Sequence, residues 1–393
     1  MAFWQLSPDL VPVIVFRFFS YNTMLVMQCP RDVLLKPLAA VIGIVERRNT
    51  LPILSNVLLQ CENGGLTCLA TDLELEVAAQ AQTGPAGEAV TLTTSARKLY
   101  DIVRALPDEA AVSLDLKDGR LTLRSGRSRF TLQTLDAGTF PRMPELSDTS
   151  VELRMPQGAL RELLRLTQYA MAQQDIRYYL NGLLLDQAGD VLRLVATDGH
   201  RLAYSEGRAE GAAEGSASST ILPRKLVQEL SRLLGDGDEL VTLRIGTQQV
   251  RASFGDIRIA SKVIDGKFPD YNRVIPQDQP RRVDVGRSPL LDALRRAEIL
   301  SNDKFRSVRL VLDEDRLAVS CTNSEQEEAA EELEVEYRGE ALDIGFNVQY
   351  LLEALSTLSS ETVTLNLKDQ NSSCLLTDRD NPGYRYVVMP MRL

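Results

Sequence analysis

Ala70-Thr71-Asp72, Ala196-Thr197-Asp198 and Cys321-Thr322-Asn323 are one phrase written three times, each at the end of an apolar run. The threonines stand 126 and 125 residues apart. Fifteen residues before each, a strand-like stretch begins at Asn56, Gly182 and Ser307, and some 25 residues after each a helix-like run opens near Ala96, Pro223 and Asn347. Three registers kept in three copies define a tandem array of one domain.

Working outward, each copy reads as strand, helix, several strands, second helix, several strands. Leu160, Leu163, Leu164, Thr167 and Met171 carry the spacing of a core-facing helix, and Val33–Val45 and Pro289–Leu300 are its counterparts. The second helices start behind Thr-Ser or a proline in two copies, both acceptable openings. Leu121-Thr122-Leu123-Arg124 and Thr242-Leu243-Arg244-Ile245 alternate with period two and are strands. Asp118-Gly119, Asp198-Gly199 and Asp265-Gly266 predict tight turns. Strands outnumber helices, so the expected class is α+β with largely antiparallel sheets, in three tandem copies.

The boundaries expected are 24–149, 150–277 and 278–393, after Phe140-Pro141-Arg142-Met143-Pro144 and after Phe268-Pro269-Asp270-Tyr271. Gln277–Arg282 reads as a linker and Gly207–Ser219 as a mobile loop. Residues 1–23 stand outside the repeat. Val11–Phe16 faintly resembles a signal segment but lacks a basic flank and a cleavage site and is too short to span a bilayer. The segment is expected to be a dispensable extension, with Met24 the working start.

Composition excludes several classes. Hydrophobic residues at 44% and charged residues at 25% describe a soluble globular protein with material for three cores. Five cysteines without a Cys-x-x-Cys pair, and a single histidine, argue against a zinc site or a disulfide framework and for a reducing cytoplasm. No metal or cofactor is expected, because no Walker loop, Gly-x-Gly-x-x-Gly or spaced carboxylate pair occurs. His200 with Asp198 as orienter would be the candidate general base of a hydrolase. The Asp-Gly turn need not bring the two together, and no nucleophile motif accompanies them. A protein-only repeat scaffold is the other alternative.

The net charge of −10 opposes indiscriminate binding to nucleic acid. The six helical segments nevertheless hold fourteen basic and eight acidic residues, leaving a net of −16 elsewhere. Arg161 and Arg165, and Arg224 and Arg232 with Gln228 between, recur at helical spacing, whereas Glu325, Glu327, Glu328, Glu331, Glu332, Glu334 and Glu336 crowd one strand region. Helices on one side and sheets on the other would make one positive surface on an acidic body, attractive to phosphate along the helices alone. The glutamate run reads as a solvated or ion-pairing strand face.

Several motifs resemble those of the β sliding clamp family, the processivity subunit of the bacterial replicative DNA polymerase. They are Thr50–Leu54, Arg124–Phe130, Arg177–Gly182, Ala196–Leu202, Phe268–Tyr271, Ile299–Asn302, Gly345–Val348 and Val387–Leu393, and the likeness runs from about Met24 to Leu393. Departures are few: Asn272 stands where a basic residue is common, and Pro30 interrupts the first strand.

The resemblance implies a non-catalytic ring of two three-domain subunits joined head to tail around double-stranded DNA, helices inside and sheets outside. It implies a homodimer contact of Lys98, Arg127, Arg129 and Phe130 against Ile299, Leu300, Glu325, Glu328 and Glu331. It implies a pocket for polymerase, clamp-loader and other partner peptides at Leu180, Thr197, Gly199, His200, Arg201, Leu202, Pro269, Arg273, Val274, Asn347, Tyr350, Ser373, Val387, Met389, Pro390, Met391 and Arg392. DNA contacts are expected, by location, at Arg48, Arg97, Arg104, Gln174, Arg224 and Lys225.

Overall fold

The computed structural model describes residues 23–46, 50–84, 89–148, 151–212, 215–301 and 306–392. One unit, strand–helix–three strands, occurs six times, two per sequence repeat. Its helices are α1 (Arg31–Val41), α2 (Ala96–Ala105), α3 (Gln157–Thr167), α4 (Arg224–Leu233), α6 (Arg287–Glu298) and α7 (Val348–Thr357), with a single turn, α5 (Tyr271–Val274), between the fourth and fifth units. The halves of a repeat share geometry without sharing a phrase, which is why the sequence displays three copies and the structure six.

Each strand hands over to its helix through one extended residue. Pro30, Pro156 and Pro223 hold this place with φ of −58°, −58° and −59°, values the proline ring sets by itself. Pro30 therefore ends the first strand, Met24–Pro30, and does not interrupt it. Ser95, Gly286 and Asn347 fill the other three junctions. Of the six only Asn347 caps with its side chain, accepting from the Gln349 amide at 3.0 Å. The expected Thr-Ser opening of α2 supplies no such bond.

The helices begin earlier than the periodicity suggests, at Arg31 and Arg287, and α1 and α3 tighten into 3₁₀ turns over Ile42–Ile44 and Gln168–Ala170. Leu160, Leu163, Leu164, Thr167 and Met171 are all buried, as their spacing requires. Asp118-Gly119 forms its hairpin turn, both residues at positive φ. Asp265-Gly266 does not turn a hairpin. It lies past the strand Ile257–Lys262, in a segment that Ile264 ties to Ile221. The expected loop over Gly207–Ser219 is also largely structured: Gly207 and Arg208 end the strand Arg201–Arg208, Glu210 bridges to Arg154, and Ala217–Pro223 is a strand. The N-terminal segment 1–22 lies outside the described residues.

The sheets cross the repeat boundaries. Leu75–Gln82 of the first repeat pairs antiparallel with Ile257–Lys262 of the second, making one 12-stranded sheet. Arg201–Arg208 of the second pairs with Tyr384–Val388 of the third, making an 8-stranded sheet. A 4-stranded sheet closes the third repeat, with Glu328–Glu334 on its edge. Backbone hydrogen bonds thus weld neighbours that composition would leave as separate bodies.

The helices run side by side in the order α2, α1, α4, α3, α7, α6. Within a repeat they touch in pairs, and α3 touches α7 between repeats. The α1–α4 junction is fastened by Arg232, which donates to the carbonyls of Ala39 (3.1 Å) and Ala40 (2.6 Å) near the C-terminus of α1, where a cation is favoured. Arg165 does the same for α7 through the Thr357 carbonyl.

Candidate functional surfaces

The repeated phrase builds a turn. Thr197 donates from Oγ1 to the Arg201 carbonyl (2.6 Å) and accepts from the Gly199 amide (3.1 Å), while Asp198 Oδ1 accepts from the His200 and Arg201 amides at 2.9 and 3.1 Å. Thr71 and Asp72 repeat these bonds toward Leu73, Glu74 and Leu75. In the third copy Asn323 Oδ1 holds the Glu325 and Glu327 amides. Each turn contains one residue at positive φ: Leu73 at 79°, Gly199 at 90°, Gln326 at 64°. Only Gly199 adopts this without cost, and a Cβ there would meet the Arg177 guanidinium at 2.8 Å.

At the second turn the seam between the second and third repeats is clamped by Arg201, a residue 8% exposed. Its Nε donates to Asp198 Oδ2 at 3.0 Å and its Nη2 to the Tyr169 carbonyl at 2.8 Å; its Nη1 pairs with Glu353 of α7. The guanidinium lies 4.4 Å from the Tyr350 ring centroid and 5.6 Å from that of Tyr169, within cation–π range. Burial opposes the charge, but Tyr386, Glu353 and Asp198 outweigh it and hold the Arg201 pKa above its usual value. Tyr169 and Tyr384 share a hydroxyl hydrogen bond of 2.7 Å beneath.

Above this clamp the C-terminal residues cross the seam. Leu202 pairs in register with Val387, Met389 donates its amide to the His200 carbonyl (3.0 Å), and Met391 donates to Gly345 (2.8 Å). Ser373, Met389, Pro390, Met391 and Arg392 line a groove of about 1000 Å³ with Arg309, Glu328 and Asp343 of the third-repeat sheet, whereas the expected residues of the second repeat, from Leu180 to Val274, do not line it. Met389 and Val274 are exposed, at 49% and 43%. Arg273 is exposed and pairs with Asp270, and Pro269 borders a neighbouring groove of about 460 Å³ on the second repeat. Leu180, Leu202 and Val387 are buried beneath these residues.

Besides Arg201, two of the expected pocket residues have other work. The Thr197 hydroxyl is spent on its turn and the Asn347 amide on its cap. Conversely, Tyr169, Asp175, Arg177 and Glu353 belong to this neighbourhood and were not expected there. Asp175 receives the Arg177 side chain at 3.0 and 2.8 Å and its amide at 2.8 Å, which holds the carboxyl at about 2. The Arg177-Tyr178-Tyr179 motif was the available signal.

The helix cations are less free than their spacing suggests. Arg224 is half-buried on the carbonyls of Met171 (3.1 Å) and Ala172 (3.4 Å). Lys225 reaches across the first seam to Asp72 and to Glu46 (3.1 Å). Arg161 pairs with Asp236 and Arg232 with Glu229. Arg97 is exposed and, among the described residues, makes a 3.5 Å contact with the Val45 carbonyl. Arg104 is exposed over the Tyr100 ring, with Asp101 at 3.3 Å. Gln174 is exposed in a turn at φ 55°. Arg48 lies outside the described residues. Carbonyl partners leave the charge of an arginine intact, so Arg224 still contributes to the field of the helix row while it fastens the fold.

At the two ends of the row lie strands of opposite charge whose ladders are partly or wholly open on one side. In Ser128–Leu135 only Thr134 and Leu135 pair on the second side, which leaves the first part, with Arg129 and Phe130, bonded to one neighbour. Arg127 sits at the adjoining hairpin tip, and Lys98 is exposed on α2. At the opposite end, Glu328–Glu334 pairs, among the described strands, with Arg316–Thr322 alone. Ile299, just past α6, is 78% exposed beside the half-buried Leu300. Glu325 and Glu328 are exposed, but Glu331 is already held by Arg296 through two bonds of 2.7 Å, and Glu332 pairs with Arg316. The glutamate run is thus an ion-pairing face as well as a solvated one.

Against this geometry the comparisons are decisive. Family models of the DNA polymerase III beta subunit match in order: the N-terminal domain over residues 25–144, the central domain over 154–270 and the C-terminal domain over 272–392. The chain belongs to the DNA polymerase III beta subunit family. The beta sliding clamps of Pseudomonas putida and Escherichia coli are 46% and 45% identical over 363 residues, 92% of this chain and 98% of theirs. A crystal structure of the Pseudomonas aeruginosa DNA polymerase sliding clamp superposes with a TM-score of 0.90 at 45% identity, covering 94% of this chain and 100% of that one. A clamp from Caulobacter crescentus does so with 0.88 at 40% identity, covering 94% and 100%.

Clamps of this family are processivity factors without catalysis, and the hydrolase reading fails on geometry as well. Asp198 spends its oxygens on two backbone amides and on Arg201, so it does not orient the His200 imidazole. Among the described residues no cluster of histidine, cysteine, aspartate or glutamate could hold a metal ion, and no helix is long and apolar enough to cross a membrane.

Proposed function

We propose that two copies of this clamp-family chain close head to tail into a ring around duplex DNA, with the helix row inside and the sheets outside. The divisions would be 24–149, 150–277 and 278–393. The observation that carries the reading is the pair of partly open strands at opposite ends, one basic around Arg129 and one acidic around Glu328. Each is an unfinished ladder, the usual opening for strand addition, and their charges favour head-to-tail over like-to-like pairing. The ring is held by topology and needs few phosphate contacts, each of which would steepen the salt dependence by about 0.9 in log–log slope. Modest helix charge on an acidic body suits sliding.

The seam between the second and third repeats, beside Met389–Arg392, would take short apolar peptides of the polymerase, the clamp loader and other partners, since exposed methionine adapts to varied side chains. The buried free thiols fit a cytoplasmic setting. Retention on closed circular DNA, with release when the circle is cut, is the test. A protein-only scaffold would show neither behaviour. Deleting residues 389–393 should preserve retention and abolish binding of a polymerase-derived peptide; undiminished peptide binding would remove this seam from the proposal.

A further inference from the structure

The two seams are welded alike and clamped differently. Leu75–Gln82 pairs with Ile257–Lys262 at the first, and Arg201–Arg208 with Tyr384–Val388 at the second. The place that Arg201 holds in its turn is held by Leu75 in the first turn, since Thr71 bonds the Leu75 carbonyl as Thr197 bonds that of Arg201. Asp72 therefore draws its cation, Lys225, from across the seam. Asp198 has its cation, Arg201, within its own turn. Neither the weld nor the charge of Asp198 calls for Glu353.

Glu353 nevertheless accepts from Arg201 Nη1 across the second seam. One turn earlier on α7, Tyr350 presents its ring to the same guanidinium, 4.4 Å from the centroid. Residues three apart share a helix face, so α7 offers Arg201 a flat surface with an anchor at its edge. A second arginine gives the anchor its purpose. Arg201 donates to the Tyr169 carbonyl and Arg224 to those of Met171 and Ala172, so two guanidiniums grip one short segment past α3. Burial and the nearby Arg201 hold the Arg224 pKa below its usual value, and Glu353 works against them. Without the Glu353 charge, Arg201 is left to Asp198, whose pull is toward the turn and off the Tyr350 ring. The walls of the seam are what this contact spaces: Thr197, Gly199 and Leu202 belong to the turn, Asn347 and Tyr350 to α7. The Glu353 side chain is 43% exposed and does not line the groove beside Met389.

We propose that Glu353 is a positioning residue for peptide binding at the seam between the second and third repeats: through Arg201 it sets the spacing of the turn against α7, without touching the peptide. The proposal rests on the reading of this seam as a peptide site, and the test separates the two.

The polymerase-derived peptide, labelled with fluorescein, is titrated with the full chain and followed by anisotropy. Glu353→Gln keeps the size of a partly exposed side chain and removes its charge. It should weaken binding about tenfold, the loss expected for one charge-assisted hydrogen bond. Arg201→Ala should weaken binding too, and adding Glu353→Gln to it should weaken it no further, because the carboxylate acts through the guanidinium. Before any peptide is added, the Arg201 Nε–H resonance, displaced by the Tyr350 ring, should move in Glu353→Gln. An unmoved resonance, an unchanged affinity of Glu353→Gln or additive losses in the double variant would each overturn the inference and leave the seam standing as a peptide site. No binding by the unsubstituted chain would overturn the peptide site itself, and this inference with it.

Discussion

Arg201 joins two repeats through an ion pair on each side, a carbonyl and two aromatic faces. Removing it leaves Asp198 unpaired near the seam, a change that costs about 3 kcal/mol for a buried pair and less here because Glu353 stays partly in water. Arg201→Ala should lower the thermal midpoint, and Arg201→Lys should rescue little because an ammonium cannot make the forked contacts; differential scanning calorimetry decides. Asp175 titrates in the opposite direction from a buried acid. Its carboxyl is depressed to about 2 by the Arg177 side chain and amide, so its support for the loop is complete above the usual carboxylate pKa and is lost as pH falls through about 2. The Arg177 amide NMR shift should titrate with that low midpoint; a midpoint near 4 would show that the contact is absent in solution. Burial raises all five thiols, Cys29 and Cys61 to about 11 and Cys374 to about 12. A thiolate-trapping disulfide reagent at pH 8 should therefore find none before unfolding and five after it.

Among the elements, α7 and α2 offer a paired test. Asn347 caps α7 and Ser95 caps nothing. Asn347→Ala should cost about 1 kcal/mol and Ser95→Ala close to none, measured as the difference in urea midpoints. Equal losses would mean that the Asn347 bond does not form. The prolines at the other junctions do the same task through a fixed φ, which explains how six junctions of one geometry can carry such different residues. That diversity hid the half-repeat from sequence comparison. The helix arginines mislead in a related way: spacing shows that Arg224 and Arg232 share a face with Gln228, but Arg232 is used there on carbonyls of the first repeat and Arg224 on the Met171 and Ala172 carbonyls of its own repeat.

For the whole molecule, the exposed Ile299 beside Leu300 is the apolar surface that a second copy would cover. Leu300→Ala should shift the chain from dimer to monomer at low concentration in analytical ultracentrifugation, with the monomer still folded by circular dichroism. An unchanged dimer would place the contact elsewhere. Rising salt should weaken the same contact, since exposed charges on the two edges are screened within about 10 Å at 0.1 M.

Three repeats, the alternation of their strands, the buried stripe of α3 and the concentration of positive charge in helices were determined by the sequence alone, because periodicity and composition are local properties of the chain. Tertiary structure decided which strands meet across the seams, which turn residues surround Arg201 and which arginines remain free. Those outcomes depend on partners more than a hundred residues away, such as Arg201 with Glu353 and Arg232 with Ala40, and no local pattern encodes a hydrogen bond to a backbone that the fold brings from another repeat.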